Sequence, residues 1–196
     1  MIRGVIFDCF GVLVHGSLGY LRDITPSRHR KELDDLSRAS DRGYVSHEEY
    51  LERVAALVNR PSEEIDAITR AQQVRNEKII TLARSLHTDY KVALLSNVGR
   101  GVISELFDNQ ELCTLFDTVV LSSEVGMVKP EASIYELTAA NLGLQVGECV
   151  MIDDIPINVD GARSIGMEGI VCISTNQLET DLDRLLERNY ARATRS

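Results

Sequence analysis

The feature that most restricts how this chain can fold is a recurrence of short, nearly continuous apolar runs, each ending in polar or acidic residues. Val5-Ile6-Phe7 runs into Asp8, residues 91–95 into Ser96-Asn97, residues 118–121 into Ser122-Ser123, and residues 149–152 into Asp153-Asp154; residues 169–173 form a fifth run. Runs of this length, rich in β-branched residues, suit strands buried on both faces of a parallel sheet. Helical patterns separate them at about residues 100–112, 131–143 and 157–166. Strands alternating with helices make right-handed βαβ units, so the expected fold is α/β, a Rossmann-like doubly wound parallel sheet. Ligands of such sheets bind beyond the carboxyl ends of the strands. Asp8, Ser96, Asn97 and the Asp153-Asp154 pair are therefore expected around one crevice.

Residues 15–88 break the alternation. They are rich in Arg, Glu, Asp, Leu and Ala with helical spacing, as in residues 48–57. Ser46 followed by Glu49 resembles a capping box, and Pro61-Ser62-Glu63-Glu64 reads as another helix start. The expected organisation is a core made of residues 1–14 and 89–196, with a small helical cap of residues 15–88 inserted after the first strand. Residues 178–186 are expected to form a last helix, followed by a frayed basic tail.

A chain of 196 residues with 44% hydrophobic content can bury a sizeable core. Its net charge of −9 argues against nucleic acid, because a phosphate backbone needs concentrated positive charge. A small phosphorylated molecule is compatible, since one lysine and a metal ion can offset its charge. Cys9, Cys113, Cys149 and Cys172 form no CxxC pair and read as core thiols of a reducing compartment. Asp8 and Cys9 interrupt the only apolar run near the start, which argues against a signal sequence, and no run approaches a membrane span. A soluble, cytoplasmic protein is expected.

Asp8 enters a tight loop containing Gly11, which suits a carboxylate nucleophile but equally an Asp capping a turn. Asp153-Asp154 could cap the following helix, Ser96-Asn97 could be an ordinary strand-to-helix turn, and Lys129 alone could be a surface lysine. His15, His29, His47 and His87 lack ligand spacing, and Arg28-His29-Arg30-Lys31 reads as a solvated helix face. Tyr20, Arg22, Tyr44 and His47 are candidates to face the crevice from the inserted helices.

Taken together, four motifs in order resemble the haloacid dehalogenase-like superfamily, in the branch with a small helical cap after the first motif. They are Asp8 with its Gly11 loop, Ser96-Asn97, Lys129-Pro130 before a helix, and Asp153-Asp154 with Asn158 and Gly161. The resemblance implies that Asp8 is a nucleophile forming an aspartyl-phosphate, with Mg²⁺ held by Asp8, the Phe10 backbone carbonyl and Asp154. Asp153 would be a further or water-mediated ligand. Ser96 and the Asn97 backbone would bind phosphoryl oxygens, and Lys129 would neutralise the nucleophile and the transferring group.

Most phosphatases of that family carry a second Asp two residues after the nucleophile, where this chain has Phe10. Phe10 can neither protonate a leaving group nor activate water, tasks typically worth about 10²–10⁴-fold. A phosphatase acting on small metabolites with good leaving groups, such as sugar 1-phosphates, fits that loss. The alternatives are a 2-haloacid dehalogenase, whose halide needs no proton, and a non-catalytic phosphate-binding protein.

Overall fold

The computed structural model describes residues 1–193, with side chains through Glu187. Five strands form one parallel sheet in the order β3-β2-β1-β4-β5: β1 (Gly4–Phe7), β2 (Lys91–Ser96), β3 (Thr118–Leu121), β4 (Cys149–Asp153) and β5 (Glu168–Val171). Central β1 pairs with β2 and β4, setting Phe7 opposite Leu94 on one side and Ile152 on the other. Every residue of β1 and β4 is buried, as strands covered on both faces require. The chain winds from β1 outward to β3, then crosses back to β4 and β5. The winding direction therefore reverses beside β1, and a crevice opens beyond the carboxyl ends of β1 and β4.

The pleat sends alternate side chains to opposite faces. Val5, Phe7, Val92, Leu94, Val150 and Ile152 point into one apolar cluster, shared with α5 (Glu77–Leu86), α6 (Val102–Leu106), α7 (Asn109–Leu115) and α11 (Thr175–Ala193). Ile6, Ala93, Leu95 and Met151 point into the other, with α9 (Ala132–Asn141) and α10 (Pro156–Ser164). Helices on both faces make the sheet doubly wound. A one-turn helix, α8 (Ser122–Val125), follows β3 directly.

Between β1 and β2 lie α1 (Leu18–Ile24), α2 (Arg30–Asp41), α3 (His47–Val58), α4 (Ser62–Gln72) and α5. Leu21, Leu33, Leu36, Val45, Val54, Ala55 and Ile65 from the first four helices and their connections form a separate apolar cluster. By contrast, α5 contributes Ile79, Ile80, Ala83 and Leu86 to the core of the sheet. Half of the expected capping box forms: Ser46 Oγ accepts from Glu49 N at 3.1 Å, while the Glu49 carboxylate pairs with Arg53.

Several boundaries differ from expectation. The helix anticipated at 100–112 is two, because Phe107 turns to extended geometry and Asp108 caps a new start through Glu111 N at 2.7 Å. The fifth strand spans Glu168–Val171, and Ile173 is exposed. The last helix starts at Thr175 and continues to Ala193, so helix replaces the frayed tail up to there; residues 194–196 lie outside the described residues. Three cysteines are buried as expected, but Cys113 sits on the exposed side of α7. Among the described residues, no helix is long and apolar enough to cross a membrane.

Leu94 is fully buried in β2 beside the central strand. Leu94→Ala is expected to cost about 2–5 kcal/mol through lost burial and a residual cavity, read as a lower urea midpoint with an unchanged slope.

Candidate active site

The end of β1 delivers Asp8 to the crevice. Its backbone N–H extends the ladder by donating to Ile152 O at 2.9 Å, and its Oδ1 accepts from Cys9 N at 2.7 Å. The loop then closes on itself: Leu13 and Val14 N–H both donate to Cys9 O, and Gly11 N donates to Val14 O. Gly11 has φ +84°, and a Cβ there would lie 2.2 Å from the Asp154 carboxylate carbon. Glycine is needed twice over, for the left-handed backbone and for the passage of Asp154 across the loop. Phe10 is half-buried and packs against the apolar core of the sheet.

Lys129 Nζ is buried between two carboxylates, 2.8 Å from Asp8 Oδ1 and 2.6 Å from Asp153 Oδ2. Asn97 holds the lysine backbone from both sides: its Oδ1 accepts from Lys129 N at 2.8 Å and its Nδ2 donates to Lys129 O at 3.0 Å. Asp153 is equally constrained. Its Oδ1 accepts from Ile155 N and Asn158 Nδ2, and its Oδ2 accepts from Lys129 and Asn158 Nδ2. Asn158 is itself fixed where the Tyr135 hydroxyl donates to its carbonyl at 2.7 Å. Four accepted bonds make Asp153 a positioner of the lysine, whereas Asp8 Oδ2 takes no protein hydrogen bond among the described residues.

Carboxylate oxygens of Asp8, Asp153 and Asp154 lie within 4.8 Å of one another, and Asp154 is the most exposed of the three. One ammonium cannot balance three carboxylates. Burial, with Asp153 and Asp154 reinforcing it against Lys129, pushes the Asp8 carboxyl up to about 8. Asp154 is raised chiefly by burial and then by Asp153. Burial opposes charge on Lys129 too, but Asp8 and Asp153 outweigh it and raise its pKa. A hard cation fits these oxygen donors and would relieve their repulsion.

Ser96 Oγ, at the end of β2, is fully buried and makes no hydrogen bond; Ser123 Oγ, on α8, is in the same condition. Such hydroxyls are costly unless a ligand completes them. Ser123 escaped notice in the sequence because a Ser-Ser pair after a strand is unremarkable. Asp41, at the end of α2, was missed as well: its carboxyl is pushed up to about 6, mainly by burial with Lys129 opposing, yet it closes a charged helix that reads as solvated. Of the other candidates, Tyr20 and Tyr44 are exposed, Arg22 is paired with Asp34, and His47 faces Asp66. The broad hollow walled by Arg28, Lys31, Asp35 and Arg53 lies on the inserted helices and includes none of the acidic cluster.

A family model described as haloacid dehalogenase-like hydrolase matches residues 2–166. Drimenol cyclase of Aspergillus calidoustus is 24% identical over 200 residues, covering 94% of this chain and 37% of the cyclase. The N-acylneuraminate-9-phosphatase of Homo sapiens is 29% identical over 101 residues, covering 51% of this chain and 41% of the phosphatase. The chain thus spans less than half the length of either relative. The crystal structure of a HAD family enzyme from Bacteroides thetaiotaomicron, in complex with magnesium and inorganic phosphate, superposes with a TM-score of 0.73 at 21% identity. It covers 91% of this chain and 99% of that one.

In chelator, stability is expected to fall as pH rises from about 4 to about 8, because over that window the unfolded Asp8 has lost its proton while the native one keeps it. Thermal unfolding across the range checks this, and Asp8→Asn should flatten the slope. Gly11→Ala is expected to cost about 1–2 kcal/mol for the left-handed backbone alone. It should also weaken divalent-cation binding, read by isothermal titration calorimetry, because the new methyl displaces Asp154.

Proposed function

The chain belongs to the haloacid dehalogenase-like hydrolase family, and from that premise we propose that it is a Mg²⁺-dependent phosphatase of small phosphorylated metabolites, working through an aspartyl-phosphate at Asp8. The observation that carries this reading is the incomplete charge balance of the site. Three carboxylates converge on one lysine, and beside them a fully buried serine hydroxyl waits for a partner. A cation and an anionic phosphoryl group together complete both deficits. The magnesium and phosphate of the Bacteroides enzyme and the activity of the human relative support the same reading.

In this scheme Asp8, the Phe10 carbonyl and Asp154 would hold Mg²⁺, with Asp153 as a further or water-mediated ligand. When bound, Mg²⁺ supplies Lewis-acid charge that draws the phosphoryl group and the carboxylate together. Asp8 attacks phosphorus and its P–O bond forms as the ester bond breaks. Ser96 Oγ and the Asn97 backbone N–H donate to phosphoryl oxygens. Lys129, locked by Asn97 and Asp153, holds Asp8 in place and offsets charge that develops in transfer. Residues 15–88 act as a cap whose helices α1–α4 set which metabolite enters. Because Phe10 donates no proton, leaving groups that need little help, sugar 1-phosphates and aryl phosphates, react most readily. Free thiols suit a reducing, cytoplasmic setting.

Hydrolysis of p-nitrophenyl phosphate should require Mg²⁺ and stop in chelator. Asp8→Asn should lower turnover about 10³-fold or more while leaving the thermal transition intact. Halide release from 2-chloropropionate, undiminished by chelator, would instead establish a dehalogenase.

A further inference from the structure

The proposed phosphatase lacks a proton donor in its nucleophile loop, and the inserted helices fix another carboxyl-bearing residue, Asp41, against the turns that follow β2 and β3. Helix α2 ends at Asp41, and that end is fastened to the segments that carry the candidate phosphoryl-binding groups. The Asp41 carbonyl accepts from Ser122 Oγ at 2.6 Å, and Ser122 Oγ in turn accepts from Val98 N at 2.9 Å. The next residue, Arg42, pairs with Glu131 at 2.6 Å, two residues beyond Lys129. Gly43 follows at φ +73°, packed so closely that a Cβ would lie 2.5 Å from Ser123 O. The end of α2 is therefore fixed against the turn after β2, the turn after β3 and the lysine loop at once.

The Asp41 side chain is partly buried within this seam, and neither carboxylate oxygen takes a protein hydrogen bond among the described residues. This sets it apart from Asp153, whose oxygens are filled. The charged and titratable groups around it are Lys129 from the core and Tyr50 from α3, with the Arg42–Glu131 pair and Arg100 flanking the helix end.

Resting on the phosphatase reading, we propose that Asp41 is the general acid and base of this enzyme, performing from the cap the proton transfers that Phe10 cannot perform in the loop. As the bond from Asp8 Oδ to phosphorus forms and the ester P–O bond breaks, protonated Asp41 gives its proton to the departing alcohol oxygen. The resulting carboxylate takes a proton from water as that water attacks phosphorus. The P–O bond to Asp8 breaks, inorganic phosphate leaves, and Asp41 is again protonated. A carboxyl raised to about 6 keeps a useful fraction of both forms near neutrality, as a group that alternates between acid and base requires. The substrate class widens accordingly, from esters with good leaving groups to alkyl phosphates.

The test compares wild type, Asp41→Asn and Asp41→Glu on glycerol 1-phosphate and p-nitrophenyl phosphate with Mg²⁺. Asp41→Asn is expected to lose about 10²–10⁴-fold in turnover of the alkyl ester. On the aryl ester it should release a burst of about one nitrophenolate per active site before a slow steady state, since phosphorylation needs no acid but hydrolysis of the aspartyl-phosphate lacks its base. The wild-type kcat/KM for the alkyl ester should decline above about pH 6, and Asp41→Glu should retain such a limb at a shifted position. Thermal unfolding separates these effects from misfolding, and if the asparagine variant is unfolded, the shifted limb of Asp41→Glu decides. Alkyl turnover by a folded Asp41→Asn within twofold of wild type, or an unshifted limb in Asp41→Glu, overturns the proposal alone. Failure of wild type to hydrolyse either ester overturns the phosphatase reading and this proposal together.

Discussion

The buried ammonium of Lys129, clasped between Asp8 and Asp153, is the contact on which the rest of the structure depends. Taking such charges out of water costs several kcal/mol per ion unless the geometry is good and the remaining donors and acceptors are met. Much of the surrounding architecture meets them. Asn97 from the turn after β2 holds the lysine backbone, Ile155 and Asn158 saturate Asp153, and Tyr135 of α9 fixes Asn158 in turn. Strands β1, β2 and β4 and helices α9 and α10 thus converge on one side chain. The lysine still cannot balance three carboxylates, and that residual charge is what suits the crevice to a cation.

The same constraint separates two aspartates that look interchangeable in the text of the chain. Asp153 is buried and fully hydrogen-bonded, so it orients; Asp154 crosses Gly11 toward solvent with its acceptor capacity largely open. Phe10, half-buried against the core of the sheet, has no proton to give, so the proposed scheme assigns that transfer to Asp41 at the seam between α2 and the turns after β2 and β3.

Much of this was legible in advance where the signal is local. Buried parallel strands require unbroken apolar runs, so all five strands, the last with shifted ends, and the crevice at their carboxyl ends could be read directly, with Asp8, Ser96, Lys129 and Asp153-Asp154 expected around it. The misreadings came where long-range packing overrides local pattern. The span 100–112 keeps helical spacing through Phe107, yet that ring is drawn into the sheet's core and the helix breaks there. Residues 77–86 carry the same amphipathic pattern as α1–α4, but their apolar face turns to the sheet. Cys113 lies in an apolar context and still falls on the outer side of α7.

The sequence by itself determined the α/β architecture and the set of acidic and basic groups at the strand ends, because alternation of apolar runs and helices leaves few ways to bury those runs. Only the tertiary structure decided the contacts of those groups. Which aspartate is saturated, which serine hydroxyl is stranded and where the end of α2 is fastened depend on desolvation and on hydrogen bonds between residues far apart in the chain, such as Ser122 and Asp41, 81 positions apart. No local pattern encodes those pairings; they exist once the sheet and the inserted helices close on one another.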